Sequence, residues 1–182
     1  MGEFNPDQML PVMIMMDPPR HTQLRSLVNR AFTRRRIADR EQAIRGIARG
    51  LVEAFAHVGG GDLVDGIAKP SPSIVIADLL GVPREDRKAF RHWSEQIIQD
   101  NPDDPAAAAT AMEGGASLLA YFADLIAERR RSPQDDLLTA LITAEIDGEC
   151  LGEDELFGMC VLLVVAGNET TTNLVSEQRP PL

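Results

Sequence analysis

Along most of the chain apolar residues return at intervals of three and four, the spacing that lines one face of an α-helix. Asp17-Pro18-Pro19 predicts the opening of a first helix, with a side-chain acceptor at the cap and proline where a missing N–H does no harm. That helix runs to about Phe32. Ile37, Ile44, Ile47, Leu51 and Phe55 then form an amphipathic stripe on a second helix, closed by Gly59-Gly60-Gly61. Ser71 to Leu80 reads as a short buried helix stopped by Gly81 and Pro83. A helix from about Arg84 to Ile98 places Phe90, Trp93 and Ile97 on one side. The acidic, proline-bounded stretch from Asp100 to Pro105 is a loop, and an Ala-rich helix follows to Arg131. Ser132-Pro133 breaks it before a helix from Asp136 to Glu145. Asp147-Gly148, set between Ile146 and Leu151, signals a small hairpin.

The last helix starts near Glu153. Leu156, Met159, Cys160, Leu163, Gly167 and Leu174 trace one of its faces, and Phe157, Val161, Leu162 and Val165 cover the others. Such a pattern predicts burial nearly all round. The fold class is therefore mainly α, in one domain with a real core. Aromatics are only 4% of the 182 residues, so aliphatic side chains and methionine fill that core.

Charge changes the picture locally. The first sixty residues carry a net charge of +3 and the remainder −13, within a total of −10. A basic first third on an acidic protein suggests a local docking face or anion site. The total field repels phosphates, which argues against nucleic-acid binding. The two cysteines, Cys150 and Cys160, form neither a disulfide framework nor a metal-ligand spacing. A reducing cytoplasm is the natural reading. The Met-rich stretch from Met9 to Met16 lacks the features of a signal peptide. The longest apolar run, Leu156 to Ala166, is about half of the ~20 residues a membrane span needs.

Chemistry concentrates in Ala166-Gly167-Asn168-Glu169-Thr170-Thr171-Thr172. Gly167 disfavours a helix interior by about 1 kcal/mol relative to Ala. Glu169 is a potential charge close to the core. Three consecutive threonines lose χ1 freedom, and their hydroxyls compete for backbone carbonyls. One account is a buried helix nearing its end, with Gly167 present for close packing. The other is a site in which an acid beside a hydroxyl relays protons into a dry cavity, worth roughly 10²–10⁴ in rate.

The string Ala-Gly-x-Glu-Thr-Thr in the second half of a long apolar helix resembles the oxygen-binding helix of the cytochrome P450 family. Asp17-Pro18-Pro19-Arg20-His21-Thr22-Gln23-Leu24-Arg25 is similar to the segment that opens the family's haem-flanking helix in bacterial members. Ile76-Ala77-Asp78-Leu79-Leu80-Gly81-Val82-Pro83 and Asp135-Asp136-Leu137-Leu138 resemble the segments between them. The likeness runs in the family's order from about Met16 to Leu174.

The resemblance implies a partial cytochrome P450 fold, from the haem-flanking helix through the small hairpin to the long central helix. It implies a haem-thiolate monooxygenase that oxidises a small hydrophobic organic substrate with O₂. Haem b is the implied cofactor, with electrons from NAD(P)H through redox partners. Glu169 and Thr170 are the implied proton-handling pair. Ala166, Gly167 and Thr170 would lie against the haem, and Leu163, Val164 and Ala166 against substrate. His21 and Arg25, four apart on one helix face, would hold the propionates. The Arg-rich first third (Arg20, Arg25, Arg30 and Arg34 to Arg36) would receive a ferredoxin-type electron donor.

Departures are equally plain. The family's axial thiolate sits in a Phe-Gly-x-Gly-x-x-x-Cys-type loop after the oxygen helix, and this chain has no such loop. Cys150 and Cys160 read as surface and core thiols, so no metal ligand is assigned. Glu128-Arg129-Arg130-Arg131 matches the family's Glu-x-x-Arg pattern only by coincidence, at the end of a surface helix, and Arg34 stands where proline is common. The expectation is a single domain over residues 1–182 truncated at both ends, with 176–182 as a tail outside the family pattern. Such a chain is inactive alone and cytoplasmic, with no membrane association. A non-catalytic all-α ligand-binding or regulatory module, or a purely structural helical piece, is the alternative.

Overall fold

The computed structural model describes residues 10–98, 104–146 and 148–177. A single 3₁₀ turn at Met13–Met15 precedes α1 (Arg20–Ala31), α2 (Arg34–Ala38) and α3 (Glu41–His57). A π-helical turn at Val64–Ala68 leads into α4 (Pro70–Leu79), followed by α5 (Arg87–Ile98), α6 (Pro105–Arg131) and α7 (Leu137–Ile142). A two-stranded antiparallel ribbon, β1 (Glu145–Ile146) and β2 (Glu149–Cys150), pairs Glu145 with Cys150. The long helix α8 (Glu153–Glu177) closes the described chain and touches α4, α5, α6 and both short helical turns.

Aliphatic packing makes the core, as the composition demands. Leu156, Met159, Cys160 and Val164 of α8 are buried with Leu24, Leu27 and Val28 of α1, Ile76 and Ala77 of α4, and Leu138 and Leu141 of α7. Four of the scarce aromatics, Phe90, Trp93, Tyr121 and Phe122, cluster between α5 and α6, where Phe90 meets Phe122 edge-on at 6.0 Å between ring centres. Helices α5 and α6 approach closely because Gly114 is bare. A Cβ there would lie 2.7 Å from the Gln96 Cβ.

Several boundaries differ from expectation, each for a local reason. Asp17 does not cap α1 with its side chain; its backbone carbonyl accepts from the His21 N–H at 3.1 Å instead. The second helix is broken at Asp39-Arg40 into α2 and α3, with Thr33 capping α2 through its hydroxyl. The stripe on α3 exists, yet no residue of α3 is fully buried, because its apolar face looks into an open groove. Helix α5 begins at Arg87, since Pro83 to Asp86 form a turn. Helix α7 stops at Ile142, and Glu145 joins the ribbon. Of the expected Asp100–Pro105 loop, residues 100–103 lie outside the described residues; Asp104 caps α6 by accepting from the Ala106 N–H at 2.9 Å. Asp147, in the predicted hairpin turn, also lies outside them, while Gly148 supplies the turn's φ of +83°.

A polar knot is buried where α6, α7 and Gly81 meet. Arg129, at the end of α6, donates to Asp136 Oδ2 at 2.6 Å and to the Gly81 carbonyl at 2.7 Å. Asp136 uses its other oxygen to accept from the Thr139 N–H at 2.7 Å, capping α7. Gly81 has φ +75°, and a Cβ there would overlap the Asp136 carboxylate. Arg129 is thus a core residue, not a member of a surface helix end.

Candidate functional site

An open apolar groove of about 620 Å³ runs between α1, α3, α4 and α8, within the volume range of small-molecule and cofactor sites. Its walls follow from helix periodicity. Val28 and the capping Phe32 come from α1 and its end, Ile44 and Ile47 from α3, and Ile76, Leu79 and the capping Leu80 from α4 and its end. Leu162, Leu163, Ala166, Gly167 and Thr171 come from α8. That helix is therefore buried all round only near Leu156 to Cys160; beyond, one side faces the groove and Ala166 and Thr170 are exposed.

Of the residues singled out from sequence, Arg25, Leu163, Ala166 and Gly167 line this groove. Arg25 belongs to none of the ion pairs among the described residues. His21 sits one turn earlier on α1 but does not line the groove. Val164 is turned into the core and is fully buried, so Leu162 takes the place expected of it. Thr170 donates its hydroxyl to the Ala166 carbonyl at 2.7 Å, leaving the oxygen lone pairs available as acceptors. Glu169 is in α8, and its side chain lies outside the described part of the structure.

Gly167 has a packing role. A Cβ on it would lie 2.7 Å from Ile76 Cδ1, so the bare glycine lets α4 and α8 meet. Two further residues of the Ala166–Thr172 stretch had no role assigned from sequence. Thr171 lines the groove, and Asn168 is buried and bonded to Ser73 of α4.

Neither thiol reaches the groove. Cys160 is fully buried, and burial pushes its thiol up to about 12, so it stays protonated at neutral pH. Cys150 is exposed on the ribbon. Among the described residues no group of His, Cys, Asp or Glu is placed to hold a metal ion. An apolar wall bordered by a guanidinium that pairs with no acid among the described residues suits one face of a flat apolar group that carries carboxylates. The described residues fit a haem in that sense and offer it no axial thiolate.

The basic first third is partly consumed internally. Arg20 forms a two-pronged pair with Glu155 at 2.6 Å, and Arg30 donates to the Glu145 carbonyl at 2.6 Å. Arg34 and Arg35 remain exposed.

Comparison with known proteins is decisive. The chain is 46% identical over 167 residues to the cytochrome P450 monooxygenase PikC of Streptomyces venezuelae, covering 90% of this chain and 39% of that protein. It is 42% identical over 168 residues to cytochrome P450 109 of Bacillus spizizenii, covering 90% of this chain and 42% of the relative. In three dimensions it matches the CYP109E1 crystal structure from Bacillus megaterium in complex with testosterone, with a TM-score of 0.85 at 38% identity. That match covers 91% of this chain and 45% of the other. The chain belongs to the cytochrome P450 family, as a part of its fold. It spans about two fifths of the length of the curated relatives it matches. No family model matches the chain. Within this P450 segment α1 and α8 are the helices whose sequences resemble the family's haem-flanking and oxygen-binding helices. No helix among the described residues is long and apolar enough to cross a membrane.

Proposed function

We propose that this chain supplies the oxygen-helix portion of a haem-thiolate monooxygenase that oxidises a small hydrophobic organic molecule. One observation carries the reading: Arg25 of α1 and the Ala166-Gly167 turn of α8, distant in sequence, border the same apolar groove. In the proposed arrangement Arg25, with His21 one turn away, binds the haem propionates. Ala166 and Gly167 give the flat group room against the helix backbone, while Leu163 and Leu162 wall the substrate side. Haem, when bound, supplies the one-electron and dioxygen chemistry that no side chain provides. Thr170 accepts and passes a proton at Oγ1, oriented by its bond to the Ala166 carbonyl, and Glu169 exchanges that proton with solvent. The axial thiolate must come from outside these residues, so the chain alone has no turnover.

Electrons would derive from NAD(P)H through a ferredoxin-type donor docking on the exposed arginines near Arg34 and Arg35. PikC is named a monooxygenase, and the CYP109E1 structure holds a steroid; both are consistent with an organic substrate.

The test is a chimera in which this chain replaces the equivalent two fifths of PikC. Reduced under CO, it should show the thiolate-type Soret band. Thr170→Ala should lower product formation by about 10²-fold while oxygen uptake continues. Unchanged coupling would remove Thr170 from the proton path, and loss of the thiolate band in the parent chimera would remove the haem reading. Reduction rate should fall steeply with salt if the arginines steer the donor.

A further inference from the structure

Asn168 interrupts an apolar helix at a point where packing alone would be served by leucine. It is 3% exposed, and its partner Ser73 on α4 is 2% exposed. The Ser73 hydroxyl donates to Asn168 Oδ1 at 2.6 Å, and Asn168 Nδ2 donates to the Val164 carbonyl at 2.7 Å. These two bonds fix which way the amide faces, because reversing it would set two carbonyl oxygens against each other. One turn along α4, Ile76 meets the bare backbone of Gly167. Consecutive positions of α8 are therefore held by a steric contact and a directional bond. The contact sets the distance between α4 and α8, and the bond sets the rotation of α8 about its own axis.

Rotation matters two residues later. Successive residues turn by about 100°, so Thr170 stands roughly 200° around the helix from Asn168. A twist of about 15° moves a hydroxyl some 4 Å from the axis by about 1 Å, a displacement large enough to change a rate by about 10²-fold. We propose that Asn168 is a positioning residue, which through Ser73 fixes the rotation of α8 and so where Thr170 presents its hydroxyl. This rests on the proton-handling role assigned to Thr170 above.

The surroundings make the idea testable without collapse of the fold. A polar cleft of about 130 Å³ adjoins Asn168, lined by Ser73, Thr172 and Asn173 with the charged Lys69 and Glu95 at its edge. That is room for about four waters at roughly 30 Å³ each, so a shortened or altered side chain at 168 is hydrated and leaves no dry void. Asn168→Asp is the informative variant. As a neutral acid it keeps both bonds, accepting from Ser73 and donating to the Val164 carbonyl. Ionised, it has no proton to donate and faces that carbonyl with a negative charge.

Amide hydrogen exchange is measured in the 182-residue chain, each variant referenced to wild type at the same pH. For Asn168→Asp we expect wild-type protection of residues 164–172 at low pH and at least tenfold faster exchange once the acid ionises. Exchange around Phe90 and Phe122 should stay level throughout. Asn168→Ala and Ser73→Ala should show the faster exchange at every pH. In the chimera, coupling of oxygen uptake to product should follow the same titration in Asn168→Asp. Uniform loosening of the whole chain, or local exchange that ignores pH, would overturn the proposal. So would a coupling ratio that stays flat while local exchange changes. If Thr170→Ala leaves coupling intact, the functional reading fails instead, and the exchange data still report on the helix.

Discussion

Replacing Gly167 by alanine sets two effects of similar size against each other. Alanine favours a helix interior over glycine by about 1 kcal/mol. Its methyl would arrive 2.7 Å from Ile76 Cδ1 and 3.3 Å from Ile76 Cγ1. Overpacking of this kind destabilises by about 1–3 kcal/mol. The low end applies, because the offending atom is the free end of a side chain bordering an open groove. The net effect should be a loss of about 0–1 kcal/mol, with Tm lower by up to about 4 °C. A single small number proves little, so the decisive measurement is a double-mutant cycle. Ile76→Val removes Cδ1 and alone should destabilise by about 1 kcal/mol. In the Gly167→Ala background it also relieves the overlap, and it should then be neutral or stabilising. Urea unfolding followed by far-UV circular dichroism gives the four stabilities, provided m is unchanged. A coupling of about 1 kcal/mol is expected; additivity within about 0.5 kcal/mol would refute the view that Gly167 is bare because of Ile76.

Two other outcomes follow from the ion pairs. Asp136→Ala strands the buried Arg129, the two being 5% and 6% exposed, and should destabilise by about 3–5 kcal/mol, whereas Arg129→Met/Asp136→Leu should recover most of that loss. For Glu155, burial pushes the carboxyl up, but the hydrogen bonds from Arg20 and from the Gly152 N–H outweigh it, and the group is held below its ordinary value of 4.5. A depressed native value means that its contribution is complete above the ordinary carboxylate range and fades as pH falls through the native one. Arg20→Ala should therefore destabilise by a constant amount above pH ~6, with the difference from the parent shrinking as pH falls, so that the acid limb of the stability–pH curve is flatter. An unchanged acid limb would show that the pair does not contribute.

Helix identity was legible wherever apolar spacing and punctuation agreed. Gly81 and Pro83 stop α4, and the Ser132-Pro133 pair separates α6 from α7. The break at Asp39-Arg40 was not legible, because no glycine or proline marks it. The stripe on α3 could be read, but its exposure could not, since periodicity gives a direction and not what stands opposite. At the site, Ala166 to Thr172 stood out because several locally unfavourable residues were adjacent. The bond between Ser73 and Asn168, 95 residues apart, carries no such local signal. Arg129 looked like the tail of a basic surface run until its partners at Gly81 and Asp136 came into view.

Gly158 lines no part of the groove, yet it bears on one of the groove's edges. A Cβ on this residue would lie 2.5 Å from the Pro11 carbonyl oxygen, so the segment before α1 crosses α8 against bare backbone. Two residues further on that segment carries Met13 and Ile14, which form one edge of the groove. Any side chain at 158 would press on the Pro11 backbone and so on the segment that carries that edge. The position of that edge thus depends on a buried glycine that touches none of the groove, and a substitution there would reshape the wall without altering one residue that lines it.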